Sequence, residues 1–312
     1  MGESSNGRFA GPLGPEAQGF YAENGFLVVE RAIEQELVQA MRREAAAICR
    51  GERGDIPGLI PATPGETDDE VLARHLCVHF PHKVSPLFLE LLSHPALVDA
   101  LRALIGPDVK CMQSMLFIKA SGKPGQAWHQ DEDYIPTRDR SLTGCWIALD
   151  KATTENGCLW VIPGSQRPGV LWPMRWHADE RFDCSWESFD FPYSDTDAVP
   201  VEVEAGSIVV FNGYLLHRSL PNRAPFGYRR ALVNHYMSAT SLLPWIWPEQ
   251  PTGMAQLDFR DIVMVCGQDP YAYKGLEDRS RVHVRPSGEG GCGHDERSVA
   301  GATEEEPGTS HG

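Results

Sequence analysis

The sequence predicts a mainly β domain in which helices flank a β sandwich or barrel. Three observations lead there. Helical patterns are confined to residues 34–106, and from 109 onward they give way to short β-branched and aromatic runs separated by Gly, Pro and Asn. The hydrophobic content of 42% over 312 residues permits a sizeable core. No apolar run approaches the roughly 18 residues that a membrane span requires.

Residues 1–15 are rich in Gly, Pro and Ser and are expected to be disordered. "GFLVVERAI" then reads as a short strand. "EQELVQAMRREAAAICR" (34–50) places apolar residues at 37, 41, 45 and 48, a helical spacing. A Gly/Pro-rich loop runs to about 66. "SPLFLELLSHPALVDALRALIG" (85–106) reads as two short helices split near Pro95, with Gly106 as a stop. "KCMQSMLFIKA", "GCWIALDKA", "GCLWVIPGS", "VPVEVEAGSIVVFNG" and "RRALVNHYMS" follow as strand runs. Residues 171–199 are aromatic and lack clear periodicity. A loop that long within a compact domain is expected to be a lid or substrate loop. The Gly/Glu/Ser-rich tail from 286 to 312 is expected to be disordered, which leaves 16–285 as one domain.

The formal charge is -15, with 28 basic and 43 acidic residues, which argues against nucleic acid or an anionic membrane as a partner. An anionic small substrate is not excluded, because a pocket can be basic inside an acidic protein. Eight cysteines are scattered with no C-x-x-C, and the N-terminus carries no charged-then-apolar signal region. They read as reduced thiols in a cytoplasmic protein.

"WHQDEDYIP" (128–136) holds His129 and Asp131 two residues apart, just after a strand run and a Gly/Pro turn. On extended backbone, residues i and i+2 project to the same face, so both side chains converge. About one His-x-Asp triplet is expected by chance in a chain with this many histidines, and a second, His177-Ala178-Asp179, is in fact present. That one has no preceding strand and reads as loop surface. His217, after "SIVVFNGYLL", supplies a third ligand. Two imidazoles and one carboxylate leave open positions that suit non-haem Fe(II) in an oxygenase. A 2-oxoacid would fill two of them and dioxygen a third. Its distal carboxylate then needs a cation, and "YRRALVNHY" offers Arg229 and Arg230 on a strand. Alternation sends one inward and the other outward. "HLCVHFPH" places His75 and His79 four apart but lacks the Glu of H-E-x-x-H, so it is not read as a zinc site.

From about 79 to 237 the chain resembles the phytanoyl-CoA dioxygenase family of Fe(II)/2-oxoglutarate oxygenases. The resemblance rests on the order and spacing of "SPLFLELLSHPALVDALRALIGPDV", "MQSMLFIKA", "WHQDEDYIP", "TTENGCLWVIPGSQR", "EAGSIVVFNGYLLHRSLPN" and "RRALVNHYM". It implies a double-stranded β-helix, a cupin-like jelly-roll with helices against one sheet. It implies iron ligands at His129, Asp131 and His217, and Arg229 on the tail of 2-oxoglutarate. Further cosubstrate contacts are implied at Trp146, Ser219 and Gln113 or Met115, with Lys83 at the rim. The spacing from His217 is one residue longer than the family's, which keeps Arg230 as an alternative to Arg229. Halogenating members lack the carboxylate, so Asp131 implies hydroxylation-type chemistry with Fe(II), 2-oxoglutarate and O2 on a small-molecule substrate. A zinc hydrolase or isomerase on the same ligands, or a non-catalytic metabolite-binding jelly-roll, are the other readings.

Overall fold

Period-two alternation of side chains decides the architecture. The computed structural model describes residues 6–183, 186–243 and 260–288. Its strands are β1 (Arg8–Phe9), β2 (Phe26–Val29), β3 (His75–His79), β4 (Val109–Ala120), β5 (Gln126–His129), β6 (Thr143–Ala148), β7 (Leu159–Val161) and β8 (Met174–Trp176), followed by β9 (Trp186–Ser188), β10 (Val199–Val201), β11 (Ile208–Asn212), β12 (His217–Ser219), β13 (Tyr228–Ser238), β14 (Val263–Cys266) and β15 (His283–Pro286). The large sheet has the order β1-β2-β11-β6-β13-β4-β3-β15, and β14 also pairs with β4. A smaller sheet, β10-β7-β12-β5, faces it, and β8 and β9 form a separate hairpin. This is the double-stranded β-helix: two sheets, not closed into a barrel, with non-consecutive strands as neighbours.

Each central strand of the large sheet sends alternate residues to opposite faces. Leu27 and Val29, Cys145 and Ile147, Ile208 and Val210, Leu116 and Ile118, and Leu232 face the helices and form the main core. Phe26 and Val28, Trp146 and Ala148, Val209 and Phe211, and Ala231 and Val233 face the smaller sheet and meet Leu159, Val161 and Val201 there.

The helices are α1 (Pro15–Asn24), α2 (Gln35–Cys49), α3 (Asp68–Leu72), α4 (Pro86–Leu91), α5 (Pro95–Leu104) and the single turn α6 (Asp131–Tyr134). α2 buries Val38, Met41, Ala45 and Ile48, one stripe at helical spacing. α4 and α5 each begin with Pro at the first turn. Ser85 caps α4 by accepting from the Phe88 amide, and His94 caps α5 by accepting from the Ala96 amide. Among the described residues no helix is long and apolar enough to cross a membrane.

Two expectations are corrected. Within the stretch expected to be disordered, Arg8–Phe9 pairs in parallel with Val28–Val29, and α1 begins at Pro15. Sequence composition does not register a two-residue strand, and α1 has almost no amphipathic periodicity to announce it. Residues 171–199 are also more ordered than a loop: β8 and β9 pair from Met174–Ser188 to Trp176–Trp186, and β10 extends the smaller sheet. The tail beyond 288 lies outside the described residues.

Leu232 is fully buried in the main core. Leu232→Ala is expected to lower unfolding free energy by about 2–5 kcal/mol, the range for a buried leucine that leaves a cavity. Urea titration of the two proteins measures it, and a loss below about 0.5 kcal/mol would show that this face is not packed as described.

Candidate active site

His129 ends β5 and His217 begins β12. The two strands are antiparallel, and these residues are direct cross-strand partners. Such partners lie side by side on one face, and the two imidazole centroids are 4.1 Å apart. Gln130 is extended (φ -125°, ψ 126°), so Asp131 returns to the face that His129 occupies. Asp131 is the first residue of α6 and not part of a strand, but the i, i+2 convergence still holds. One ligand atom from each of His129, Asp131 and His217 lies within 4.8 Å of the others, the group with metal-binding geometry among the described residues.

The hydrogen bonds settle what those atoms offer. His129 Nδ1 is 2.8 Å from the Ala127 carbonyl, and His217 Nδ1 is 2.9 Å from the Leu215 carbonyl. A carbonyl only accepts, so each Nδ1 carries a proton and donates it. The neutral ring then presents a lone pair at Nε2. Burial, reinforced by His217, pushes the His129 pKa down to about 4, which favours that neutral form. Both Nε2 atoms face Asp131 Oδ1, at 3.6 and 3.5 Å. With both rings in the neutral form, three lone-pair donors converge on one point. A cation relieves the repulsion, and the donor set of two nitrogens and one oxygen fits a divalent transition metal.

His235, on β13, was not anticipated. Its Nε2 donates to Asp131 Oδ2 at 2.9 Å. The carboxylate is thereby fixed with Oδ1 toward the two ligand imidazoles, the orienting role that outer partners play at metal sites. Burial disfavours the ionised Asp131 carboxylate, and the hydrogen bond from His235 favours it. The signal was present in the sequence. His235 is six residues from Arg229, and an even separation on a strand shares a face.

These groups open into a cavity of about 470 Å³ that Gln113, Met115, Trp146, Ser219 and Arg229 also line. Arg229 is buried, and burial lowers its pKa to about 10. Its guanidinium lies 5.6 Å from the Trp146 ring centroid, and its Nε has no hydrogen-bond partner among the described residues. Arg230 points the other way. It grips Asp150 through Nε and Nη2 at 2.8 and 2.9 Å, on the helix side of the sheet. Lys83 is elsewhere, and its implied place at the rim is corrected. Its Nζ donates to both oxygens of Asp261 at 2.8 and 2.9 Å, and to Asp278 at 2.8 Å. It does not line the cavity. Two carboxylates nearly two hundred residues away hold it, a pairing invisible to local sequence.

The decoy triplet also resolves. His177 Nδ1 accepts from the Asp179 amide at 3.1 Å, and Asp179 pairs with Arg181. His75 is buried and accepts from the Ile60 amide, while His79 stacks on His283 at 4.3 Å in the cavity wall. The aromatics of 171–199 divide by role. Trp186 lines the cavity. Trp172, Phe191 and Tyr193 pack on Trp128, Ile162 and Leu216. Phe189 lies under the Arg175 guanidinium, and Trp176 is exposed.

Residues 21–231 match the model of the family described as Phytanoyl-CoA dioxygenase (PhyH). The chain belongs to the phytanoyl-CoA dioxygenase family of Fe(II)/2-oxoglutarate oxygenases. It is 31% identical over 258 residues to Phytanoyl-CoA dioxygenase 1 of Oryza sativa subsp. japonica, covering 72% of this chain and 89% of that one. It is 29% identical over 246 residues to the peroxisomal phytanoyl-CoA dioxygenase of Rattus norvegicus, covering 73% and 69%. Among solved structures, EctD from S. alaskensis with bound Fe superposes at TM-score 0.57, with 22% identity, covering 74% of this chain and 79% of that one. The non-heme monooxygenase ThoJ superposes at 0.60, with 21% identity, covering 85% and 87%. At these identities the structures establish the jelly-roll fold, and the family membership establishes an oxygenase.

Within this family site, His129→Ala, Asp131→Ala and His217→Ala are each expected to abolish binding of Mn(II), a redox-inert probe, while the proteins remain folded. His177→Ala should bind as wild type. Calorimetric titration decides it, and loss of binding in the His177 variant alone would misplace the site.

Proposed function

We propose that the protein is an Fe(II)- and 2-oxoglutarate-dependent dioxygenase that hydroxylates, or otherwise oxidises at a C–H bond, a small organic molecule. His129, Asp131 and His217 hold the metal, and Arg229 with Ser219 holds the distal carboxylate of 2-oxoglutarate. One observation carries this reading. A single cavity has three converging lone-pair donors and, elsewhere in its wall, a buried arginine with no carboxylate partner among the described residues. An unpaired buried charge is costly, so the guanidinium is a standing site for an anion. A zinc hydrolase has no use for it. When bound, iron and 2-oxoglutarate supply the dioxygen-activating redox chemistry, with succinate and CO2 as co-products.

The chain's own residues bind, orient and exclude water. Arg229 offers a planar fork that matches a carboxylate with two parallel hydrogen bonds. Trp146, Phe117, Leu159, Phe211 and Val233 make the surrounding wall apolar. That lowers the local dielectric and strengthens the ionic contact. The remaining space, bounded by Phe80, Tyr134, Trp186 and the His79–His283 stack, is left for the substrate. The cavity is of ordinary size for a small-molecule site and must hold the cosubstrate as well. Arg285, the other arginine in its wall, pairs with Asp183. We therefore infer a compact, largely apolar substrate, with no grip inside the cavity for the phosphates of a coenzyme A group. Cys49, Cys77, Cys111, Cys145 and Cys158 are free and buried, which supports the cytoplasmic reading.

Anaerobic Fe(II) with 2-oxoglutarate should give a weak visible charge-transfer band that O2 discharges, and a metabolite screen by succinate release and product mass spectrometry should find the substrate. Arg229→Ala should weaken 2-oxoglutarate by about a hundred- to several-thousand-fold, because breaking a buried ion pair costs about 3–5 kcal/mol. Arg230→Ala should leave that affinity unchanged and lower stability instead, since Asp150 loses its bidentate partner. A loss for Arg230→Ala and none for Arg229→Ala would overturn the assignment.

A further inference from the structure

We propose that Lys119 is a positioning residue for the distal carboxylate of 2-oxoglutarate and acts through Ser219. The inference rests on the 2-oxoglutarate reading above. Lys119 and Arg229 are direct cross-strand partners on β4 and β13, so two basic side chains stand side by side, and burial together with the Arg229 charge pushes the Lys119 pKa well below its ordinary value. Both are buried, and among the described residues neither makes an ion pair. Like charges placed opposite each other destabilise a sheet. Asp183, an acidic group within electrostatic reach of Lys119, is committed to Arg285. No carboxylate among the described residues thus pairs with either group, and an anion would favour the charged form of both. One at Arg229 would serve both.

The hydrogen bonds say how the lysine acts. Its Nζ donates to Ser219 Oγ at 2.9 Å and to the Leu220 carbonyl at 2.7 Å. A hydroxyl has one proton to give and lone pairs to accept with. Because Ser219 accepts from Lys119, its proton is directed away from the lysine. Ser219 and Arg229 both line the cavity, so that proton is available to a carboxylate held there. Lys119 itself is not a lining residue. It is held from behind by the turn after Glu155. Gly157 sits at φ +83°, and a Cβ there would fall 2.3 Å from the Leu220 oxygen and 3.1 Å from Lys119 Nζ. Only glycine lets this turn close over the lysine head. Elements from three parts of the chain thus converge to aim one hydroxyl.

The test compares two ligands on Mn(II)-loaded protein by calorimetry: 2-oxoglutarate, and 2-oxobutanoate, which lacks the distal carboxylate. Lys119→Met should weaken 2-oxoglutarate by about ten- to a hundredfold, the scale of a hydrogen bond to a charged group. It should leave 2-oxobutanoate and Mn(II) affinities unchanged, which a merely structural lesion would not do. Ser219→Ala should lose about tenfold, and the double variant little more than Lys119→Met alone, because the two act as one unit. Lys119→Gln, which keeps a polar head near the Leu220 carbonyl, gives the same comparison if the methionine variant does not fold. Equal losses for both ligands, additive losses in the double variant, or no loss for Lys119→Met while Arg229→Ala binds poorly, each overturn the Lys119 assignment. If Arg229→Ala also binds 2-oxoglutarate normally, the 2-oxoglutarate reading falls and this inference falls with it.

Discussion

The register of β13 against its two neighbours is the constraint on which the site depends. β13 pairs with β6 on one side and β4 on the other, with Arg229 opposite Lys119 and Val233 opposite both Trp146 and Met115. A slip of one residue would exchange the two faces of the strand. Arg229 and His235 would turn into the helix core, and Arg230 and Leu232 into the cavity. Two features resist the slip. Leu232 and Tyr236 are fully buried on the helix side, and Arg230 is clamped to Asp150, which Arg42 of α2 also contacts at 3.1 Å. The clamp on one face holds the catalytic-side residues on the other. The bulge between His235 and Tyr236 then resets the strand where it meets the start of β4.

The cavity gathers polar groups that conflict with one another. Its polar groups converge like with like: three metal-ligating atoms at the triad, and one basic side chain beside another at Arg229 and Lys119. Each arrangement raises the free energy of the unliganded fold, and the two continuous apolar cores offset it. On the proposed assignment, a metal at the triad and a dicarboxylate at Arg229 relieve both conflicts, and a ligand that binds only the folded state stabilises it by mass action. Conflicts of this kind are where function is expected, because nothing in packing alone would retain them.

Much of this was legible in the sequence because it is local or periodic. α2 announced itself by spacing, and α4 and α5 read as two short helices split near Pro95. The strand runs alternated. His129 and Asp131 stood out through the strand before them; His177 was set aside for want of one, but β8 ends at Trp176 directly before it, and what occupies that triplet is the pairing of Asp179 with Arg181. What escaped was long-range. Lys83 looks like a free cation until Asp261 and Asp278 arrive beside it. Lys119 reads as the polar end of a strand until β12 folds across it. His235 is a different case, since the alternation that brings Arg229 inward already brings His235 with it. The parallel strand Arg8–Phe9 had too few residues to show any period.

The segment 171–199 shows how fold and specificity share residues. It is pinned rather than hinged. The Gly125 amide donates to the Arg181 carbonyl and the Asp183 amide to the Gly125 carbonyl, both at 2.8 Å, while the Asp183 carboxylate pairs with Arg285 of β15. Trp172, Phe191 and Tyr193 add a satellite core around Trp128, whose ring also carries the Arg218 guanidinium at 4.4 Å. Arg218 is the neighbour of the proposed ligand His217, on the opposite face of β12. The outer packing of the segment and the inner placement of the metal ligand therefore bear on one three-residue strand. Trp186 reaches the cavity from this fixed base, opposite the His79–His283 stack. Under the proposed dioxygenase reading, a wall so anchored selects the substrate by shape, which suits presenting one C–H bond to a fixed metal position.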